Sequence, residues 1–479
     1  MPKILSQQPV NKLTKIVATI GPATETEETL KKLILAGMNV ARFNTKHGTP
    51  EWHHERIVRV KKVAKELRQP VGVLLDLQGP EIRTDLPEPF KEMGYSVEEG
   101  DIVYFASDEK VNKPNLVLVP KEVIDVITSG QVILTDDGMC QFEAISKKDG
   151  VVKSAALEKF VVKQRKTLSI PGVVTDMAAL TKNDLAQLDG ASDDDIDFVA
   201  LSFVRDKKDI EILRKELKKR NLHAAVMSKI ENQAAIDNID EIIEASDAIM
   251  IARGDLGVEV PYEQLTFWQK ILIKKCRAYA KPVITATHML ETMVENSMPT
   301  RAEVSDVANA IYDLTDAVML SAETASGKYP VKSVGVQAKI ARFNETKTEI
   351  DMSRCLNCDY ASNVAYAAVS LLHSQPVKID QVISISAGGS TAAYISRNRP
   401  KMPVHVLTTN KQTYQRLTLY FGVIPHLVDW ENDEVPSAHE LIKKLGKVDW
   451  IKKGQNILVT YGSYMREDST DSLSIVTVK

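Results

Sequence analysis

The sequence predicts an α/β fold: a (β/α)8 TIM barrel with an inserted small β lid domain, followed by a C-terminal α/β domain. Three observations predict it. A unit of short apolar strand, polar residue and amphipathic helix recurs eight times. The third unit is interrupted by a long stretch without helical periodicity. After about Glu345 the pattern changes to a smaller alternation of strands and helices. At 479 residues the chain also exceeds what one core usually holds.

The first three strands read as Lys15–Ile20, Asn39–Asn44 and Val71–Asp76. Phe198–Val204, Ala225–Glu231, Ala248–Asp255, Val283–Met289 and Ala317–Thr324 supply the other five. Near-continuous apolar runs are what parallel strands buried on both faces require. Between them the period is helical: Ile57, Val60, Ala64 and Leu67 recur at spacings of three or four, with charges between. Polar residues collect at the strand C-terminal ends, at Arg42, Asn44, Asp76, Ser202, Lys229, Glu231, Asp255, Thr287 and Ser321. In a (β/α)8 barrel those ends share one face, where active sites are built.

After Arg83 no helix is expected. Asp101–Ala106, Asn115–Val119 and Gln131–Thr135 read as strands, and Asp136-Asp137-Gly138 as a turn. An insertion there emerges from the face carrying the polar strand ends, the position of a lid that excludes water. Past Glu345, strands Val382–Ser386, Val404–Thr408 and Asn456–Thr460 alternate with helices Gln412–Phe421 and His439–Leu445. The expected division is therefore barrel over 1–84 and 173–345, lid over 85–172, and C-terminal domain over 346–479.

Composition narrows the function classes. A net charge of −3 gives no global attraction to nucleic acid or to an acidic membrane. An anionic ligand must therefore be captured by a few placed Arg and Lys side chains. The N-terminal Met-Pro-Lys-Ile-Leu lacks the apolar stretch of a secretory leader, and no run approaches the roughly 20 residues of a membrane span. The four cysteines, Cys140, Cys276, Cys355 and Cys358, are too few for a disulfide framework, so the expected compartment is the cytoplasm. Cys355 and Cys358 form a C-x-x-C pair, read as two thiols near a domain junction because no second ligand pair completes a zinc site.

Several spaced segments are shared in order with one family. Thr19-Ile-Gly-Pro22, Gly37-Met-Asn-Val-Ala-Arg42, Gly79-Pro-Glu-Ile-Arg-Thr84 and Lys229-Ile-Glu-Asn232 resemble pyruvate kinase signatures. So do Ala252-Arg-Gly-Asp-Leu-Gly257, Pro299-Thr-Arg-Ala-Glu303 and Met319-Leu-Ser321 with Glu323-Thr324. The chemistry of these residues is intelligible beside the resemblance. Phosphoryl transfer is largely positioning and charge neutralisation. Lys229 and Glu231, two apart on a strand, point to one face. A lysine meets a phosphoryl group as a point charge, and Glu231 and Asp255 are hard oxygen ligands suited to Mg²⁺.

The resemblance implies roles residue by residue. Lys229 is the phosphoryl-stabilising lysine, and Glu231 with Asp255 holds Mg²⁺ or Mn²⁺. Arg253, Gly254 and Asp255 receive the phosphoenolpyruvate carboxylate, helped by Thr287, with Ser321 in the same polar wall. Thr287 also lies near the carbon where the enolate of pyruvate is protonated. Arg42 and Arg83 face phosphates, Lys166 reaches the nucleotide ADP or ATP, and Asp137 stands at the lid hairpin. A homotetramer is implied as well.

The chain departs from the family pattern at the monovalent cation site. Asn44 and Asp76 are kept, but Lys46 stands where a serine supplies oxygen to K⁺, and Leu77 where a threonine does. The expectation is that the Lys46 ammonium replaces K⁺ between Asn44 and Asp76, with Leu77 packing on its stem. Glu81 complicates this, because K⁺-dependent members tend to carry Glu there. Gln78, Ala235, Ala322 and Thr167 are milder departures. His288, in place of a glutamine, either titrates near neutrality or donates a hydrogen bond. Ser384–Ala392 is a strand, a glycine pair and a helix start, to which no effector is assigned. Two other classes fit less well: a metal-dependent lyase or aldolase barrel, which needs no lid, and a binding protein that kept the fold and lost turnover.

Overall fold

The computed structural model describes residues 12–352, 359–374, 377–430, 437–445, 448, 450–462 and 470–479. Eight parallel strands close a barrel: Lys15–Thr19, Val40–Asn44, Gly72–Asp76, Phe198–Leu201, Ala225–Ile230, Ala248–Ala252, Val283–Ala286 and Ala317–Leu320. Each pairs with its neighbour in the chain, and the first pairs with the eighth through Lys15 opposite Ala317.

Strand alternation sorts the apolar residues into two cores. Val17, Val40, Leu74, Phe198, Met227, Met250, Ile284 and Met319 fill the barrel interior, and Leu419 from the C-terminal domain joins them. Ile16, Ala41, Val73, Val199, Val226, Ile249, Val283 and Val318 point outward, onto the helices. Those helices begin where the side chains can cap them. Thr26 accepts from the amide of Thr29, Thr49 from that of Trp52 ahead of Pro50, and Thr300 with Glu303 forms a capping box.

The strands are shorter than the sequence suggests. The sixth stops at Ala252, so Gly254 and Asp255 lie in the first turn of a helix, Arg253–Glu259, and not on the strand. The seventh stops at Ala286, and Thr287 and His288 take left-handed conformations at φ 67° and 53°. The eighth stops at Leu320, before a helical turn over Ala322–Ala325. Apolar character runs on past each end because these loops are themselves packed, with Leu256, Met289 and Leu290 fully buried.

Between the third strand and the helix Lys182–Asp189 lies a separate mostly-sheet body. Its six-stranded sheet runs Leu168–Ser169, Val132–Thr135, Cys140–Lys148, Val151–Ala156, Ile102–Ala106, Leu116–Leu118, with a two-stranded ribbon beside it. Phe105, Phe142 and Val117 centre its core. Contrary to the expectation of strands and turns alone, it contains two short helices, Phe90–Met93 and Lys121–Val126. Asp136, Asp137 and Gly138 all have positive φ, as the turn reading requires.

The C-terminal body is a five-stranded sheet in the order Val423–Leu427, Val404–Thr408, Gln381–Ile385, Asn456–Tyr461, Ser472–Thr477, parallel except for the last strand. The first and last of these escape sequence reading: Val423–Leu427 is broken by Pro425, and Ser472–Thr477 is half polar. The expected helix Gln412–Phe421 is a shorter one, Lys411–Arg416, ending in a 3-10 turn at Leu417–Leu419. Cys355 and Cys358 lie outside the described residues, whereas Cys140 and Cys276 are buried free thiols. No helix among the described residues is long and apolar enough to cross a membrane.

Candidate active site

The inward phase that places Val40, Leu74 and Met227 in the barrel interior carries on, two residues later each time, to Arg42, Asp76 and Lys229. These three meet at the barrel mouth. Arg42 Nε donates to Asp76 Oδ2 at 2.6 Å, and its Nη1 to Thr19 Oγ1 at 2.9 Å. Lys229 Nζ lies 3.4 Å from Asp76 Oδ1 and 2.8 Å from Glu231 Oε1, and donates to Ser202 Oγ at 2.7 Å. The side chains of Asp76 and Glu231 are each only 1% exposed.

Burial on this scale sets the protonation states. Burial alone would depress the Lys229 ammonium, but Asp76, Glu231 and Asp255 together raise it above the ordinary lysine range. For Asp76, burial works against ionisation, yet Lys229 and Arg42 outweigh it and hold the carboxyl below its usual range. Burial pushes Glu231 upward and Asp255 adds to the push, with Lys229 opposing both. Lys229 is therefore a fixed cation, and Glu231 is a carboxyl that gains from a further positive partner.

Glu231 Oε2 accepts the amide of Phe203 at 2.6 Å, and its buried Oε1 faces the Lys229 ammonium. Glu231 and Asp255 line one cleft beneath the lid. A pair of hard carboxylates on one cleft fits a divalent ion that keeps most of its coordination for substrate and water. Among the described residues no cluster of three His, Cys, Asp or Glu offers an all-protein metal cage.

Arg253 is placed otherwise than its charged fork suggests. The residue is 7% exposed, and its guanidinium is bidentate to Asp306, at 2.7 and 2.6 Å, with further bonds to the carbonyls of Ala286 and Thr287. It thereby holds the seventh-strand loop in position. Thr287 Oγ1 accepts the Gly254 amide at 2.7 Å and donates to the Ala286 carbonyl at 2.6 Å. Ser321 is half-buried, its amide donating to Glu323 Oε2 at 2.7 Å. His288 is exposed, 3.7 Å from Glu291.

On the lid side, Arg83 pairs with Glu81 through Nε and Nη2, both at 3.0 Å, and reaches the Arg165 carbonyl at 2.5 Å. Lys166 pairs with Asp136 at 2.7 Å, and Asp137 Oδ1 accepts the Thr167 hydroxyl at 2.8 Å. The cleft runs between Asp137, Thr167 and Ser169 of the lid and Glu231, Asp255 and Glu259 of the barrel.

Lys46 does not sit between Asn44 and Asp76. Its ammonium meets Glu81 Oε1 at 2.7 Å, while Asn44 Oδ1 accepts only the Lys46 backbone amide, at 3.2 Å. Asp76 has no room for it, because Arg42 and Lys229 already occupy both of its oxygens. Leu77 is 1% exposed.

Beside Ser202, already read as a polar strand end, three residues matter that sequence reading did not single out. Thr19 and Ser202 receive Arg42 and Lys229, and both were visible as polar positions at strand ends. Asp306 anchors Arg253 from a helix. Phe203 delivers an amide to Glu231 from a left-handed conformation at φ 55°, for which a phenylalanine carries no sequence signal.

The model described as pyruvate kinase, barrel domain, matches residues 11–334, and that described as pyruvate kinase, alpha/beta domain, matches 362–476. The chain belongs to the pyruvate kinase family. The Geobacillus stearothermophilus pyruvate kinase is 38% identical over 97% of this chain and 80% of its own length. That of Thermotoga maritima is 35% identical over 97% of this chain and 99% of its own. Phosphotransferase chemistry is the family's activity, and the barrel, lid and C-terminal α/β body are its architecture.

Proposed function

We propose that the chain transfers the phosphoryl group of phosphoenolpyruvate to ADP, giving ATP and pyruvate, as a cytoplasmic, homotetrameric glycolytic enzyme. The observation carrying this reading is the buried meeting of Lys229, Glu231, Asp76 and Arg42 at the barrel mouth, beside Asp255 and under the lid. A terminal phosphate oxygen of ADP forms a bond to the phosphorus of phosphoenolpyruvate, and the bond from phosphorus to the enolate oxygen breaks. Lys229 neutralises charge on the transferring group from a fixed position, so no reorganisation is needed in the transition state. The substrate carboxylate rests against the Gly254–Asp255 backbone and the Thr287 hydroxyl, a surface that Arg253 supports from behind. Thr287 orients the water that protonates the enolate carbon, since a threonine is itself a weak acid. Arg42, Arg83 and Lys166 face the nucleotide phosphates, and Ser321 completes the polar wall. A divalent ion, Mg²⁺ or Mn²⁺, held by Glu231 and Asp255, would neutralise phosphate charge when bound.

Within that reading, Lys46 supplies the charge that K⁺ supplies elsewhere, beside Glu81 rather than beside Asp76. The support is the 2.7 Å contact with a Glu81 side chain that is only 8% exposed. The test is pyruvate formation from phosphoenolpyruvate and ADP, for wild type and Lys46→Ser, with K⁺ and in K⁺-free tetramethylammonium buffer. Full wild-type turnover without K⁺, with K⁺ activation appearing in Lys46→Ser, is expected. Strong K⁺ activation of the wild type would refute the Lys46 role and leave the kinase; absence of turnover throughout would refute both.

A further inference from the structure

Resting on the phosphoenolpyruvate reading, we propose that His288 supplies the proton that the enolate of pyruvate receives, passing it through the water held by Thr287. Thr287 has no proton of its own to give. Its hydroxyl proton is committed to the Ala286 carbonyl at 2.6 Å, and one lone pair to the Gly254 amide at 2.7 Å. The remaining lone pair accepts from a water, so the threonine orients that water without feeding it. A water that protonates carbon needs a proton in return. The next residue is a histidine, the side chain that changes charge near neutral pH.

The loop presents both side chains to one place. Thr287 and His288 take left-handed conformations in succession, at φ 67° and 53°, a costly arrangement for a β-branched threonine. Neighbouring elements strap the loop into that shape. Arg253 donates to the Ala286 and Thr287 carbonyls at 3.2 and 2.6 Å, and Glu323 Oε1 accepts the Leu290 amide at 3.2 Å. Met289 and Leu290 are fully buried. A methyl group placed on Gly254 would lie 3.6 Å from Thr287 Oγ1 and 3.6 Å from His288 Cε1. Hydroxyl and imidazole thus flank the glycine that receives the substrate carboxylate.

The ring also keeps its own access to solvent. Its side chain is 65% exposed, and Nε2 lies 3.7 Å from Glu291 Oε2, beyond hydrogen-bond length. The other charged groups around the loop are Arg253 and Asp255 from the helix after the sixth strand, Asp306 beyond Arg253, and Glu323 from the turn after the eighth. Arg253 is spent on Asp306, Glu323 accepts the amides of Leu290 and Ser321, and Asp255 is assigned to the divalent ion. In the step, a water O–H bond breaks as a C–H bond forms at the methylene carbon. The water recovers a proton from the imidazolium, and the neutral ring is reprotonated from solvent.

The test follows loss of the pyruvate methyl signal in D₂O by proton NMR, with the full chain, Mg²⁺ and ATP. ATP formation from phosphoenolpyruvate and ADP is measured beside it. In the exchange direction the neutral imidazole takes the proton, so wild-type exchange should rise from about pH 5 to about pH 8, where histidine changes charge. His288→Gln should lower exchange at least about tenfold at about pH 8, flatten that rise, and lower ATP formation less. His288→Gly, which suits a positive φ, should regain exchange when free imidazole is added. Exchange in His288→Gln within about twofold of wild type, an unflattened pH profile, or no imidazole rescue would each overturn the role of His288 while ATP formation persists. Absence of ATP formation in the wild type would overturn the phosphoenolpyruvate reading and this role with it.

Discussion

Replacing Lys229 with methionine removes the one cation that touches both buried carboxylates of the mouth. Its ammonium lies 2.8 Å from Glu231 and 3.4 Å from Asp76. At an effective dielectric of about 20, these separations correspond to attractions of about 6 and about 5 kcal/mol, before desolvation is counted. Desolvation offsets most of that in the intact site. Deleting the lysine leaves the carboxylates buried without it, a change that costs about 3–5 kcal/mol of stability near neutral pH. Asp76 is held below its usual range, so its contribution exists above about pH 4 and is lost as pH falls through its depressed folded value. The stability gap between wild type and Lys229→Met should therefore be widest near pH 7 and narrow in acid. Turnover should fall by about a thousandfold or more, about 4 kcal/mol of transition-state stabilisation. The assays are urea unfolding at pH 7 and at about pH 3, below the ordinary carboxylate range, and coupled pyruvate formation. A folded Lys229→Met enzyme within about tenfold of wild-type kcat would refute the role given to the ammonium.

Two further outcomes are expected. In Gly79→Ala, a Cβ at φ +68° would come within 2.8 Å of the Ser202 Cβ, displacing the hydroxyl that receives Lys229. Stability should drop by about 1–3 kcal/mol with kcat lowered more than KM is raised, measured by thermal unfolding and steady-state kinetics; an unchanged kcat would show that Ser202 does not position the lysine. In the C-terminal sheet, His405 Nδ1 and His426 Nε2 lie 2.9 Å apart, with the Trp450 ring stacked on His405 at 3.7 Å. Burial holds His426 down at about 4, and burial plus His426 holds His405 well below its usual value. The unfolded chain binds protons more readily, so stability should fall as pH drops from about 6.5 toward 4, by about 2 kcal/mol per histidine at pH 5. Denaturant melts at pH 7 and pH 5 read this, and a flat profile would refute it; His426→Gln should flatten it in part.

The barrel was legible because its signal is local. Strand and helix periods lie within windows of some ten residues, and eight repeats in a row leave few architectures open. The polar strand ends were legible for the same reason: Arg42, Asp76 and Lys229 continue an inward alternation that Val40, Leu74 and Met227 begin. Two C-terminal strands were not, since a proline in one and a half-polar, barely buried composition in the other erase the apolar run that reveals a strand.

What the sequence determined by itself is which chemical groups stand at the mouth, since strand phase and motif order decide that before any contact forms. Which partner each group takes was decided only by the tertiary structure. Lys46 could reach Asn44, Asp76 or Glu81 on its long stem, and it went to Glu81 because Arg42 and Lys229 had already filled Asp76. Arg253 likewise turned from the cleft to Asp306, 53 residues away in the chain. Long flexible cations settle on whichever anion within reach is left uncompensated, and that depends on every neighbour at once.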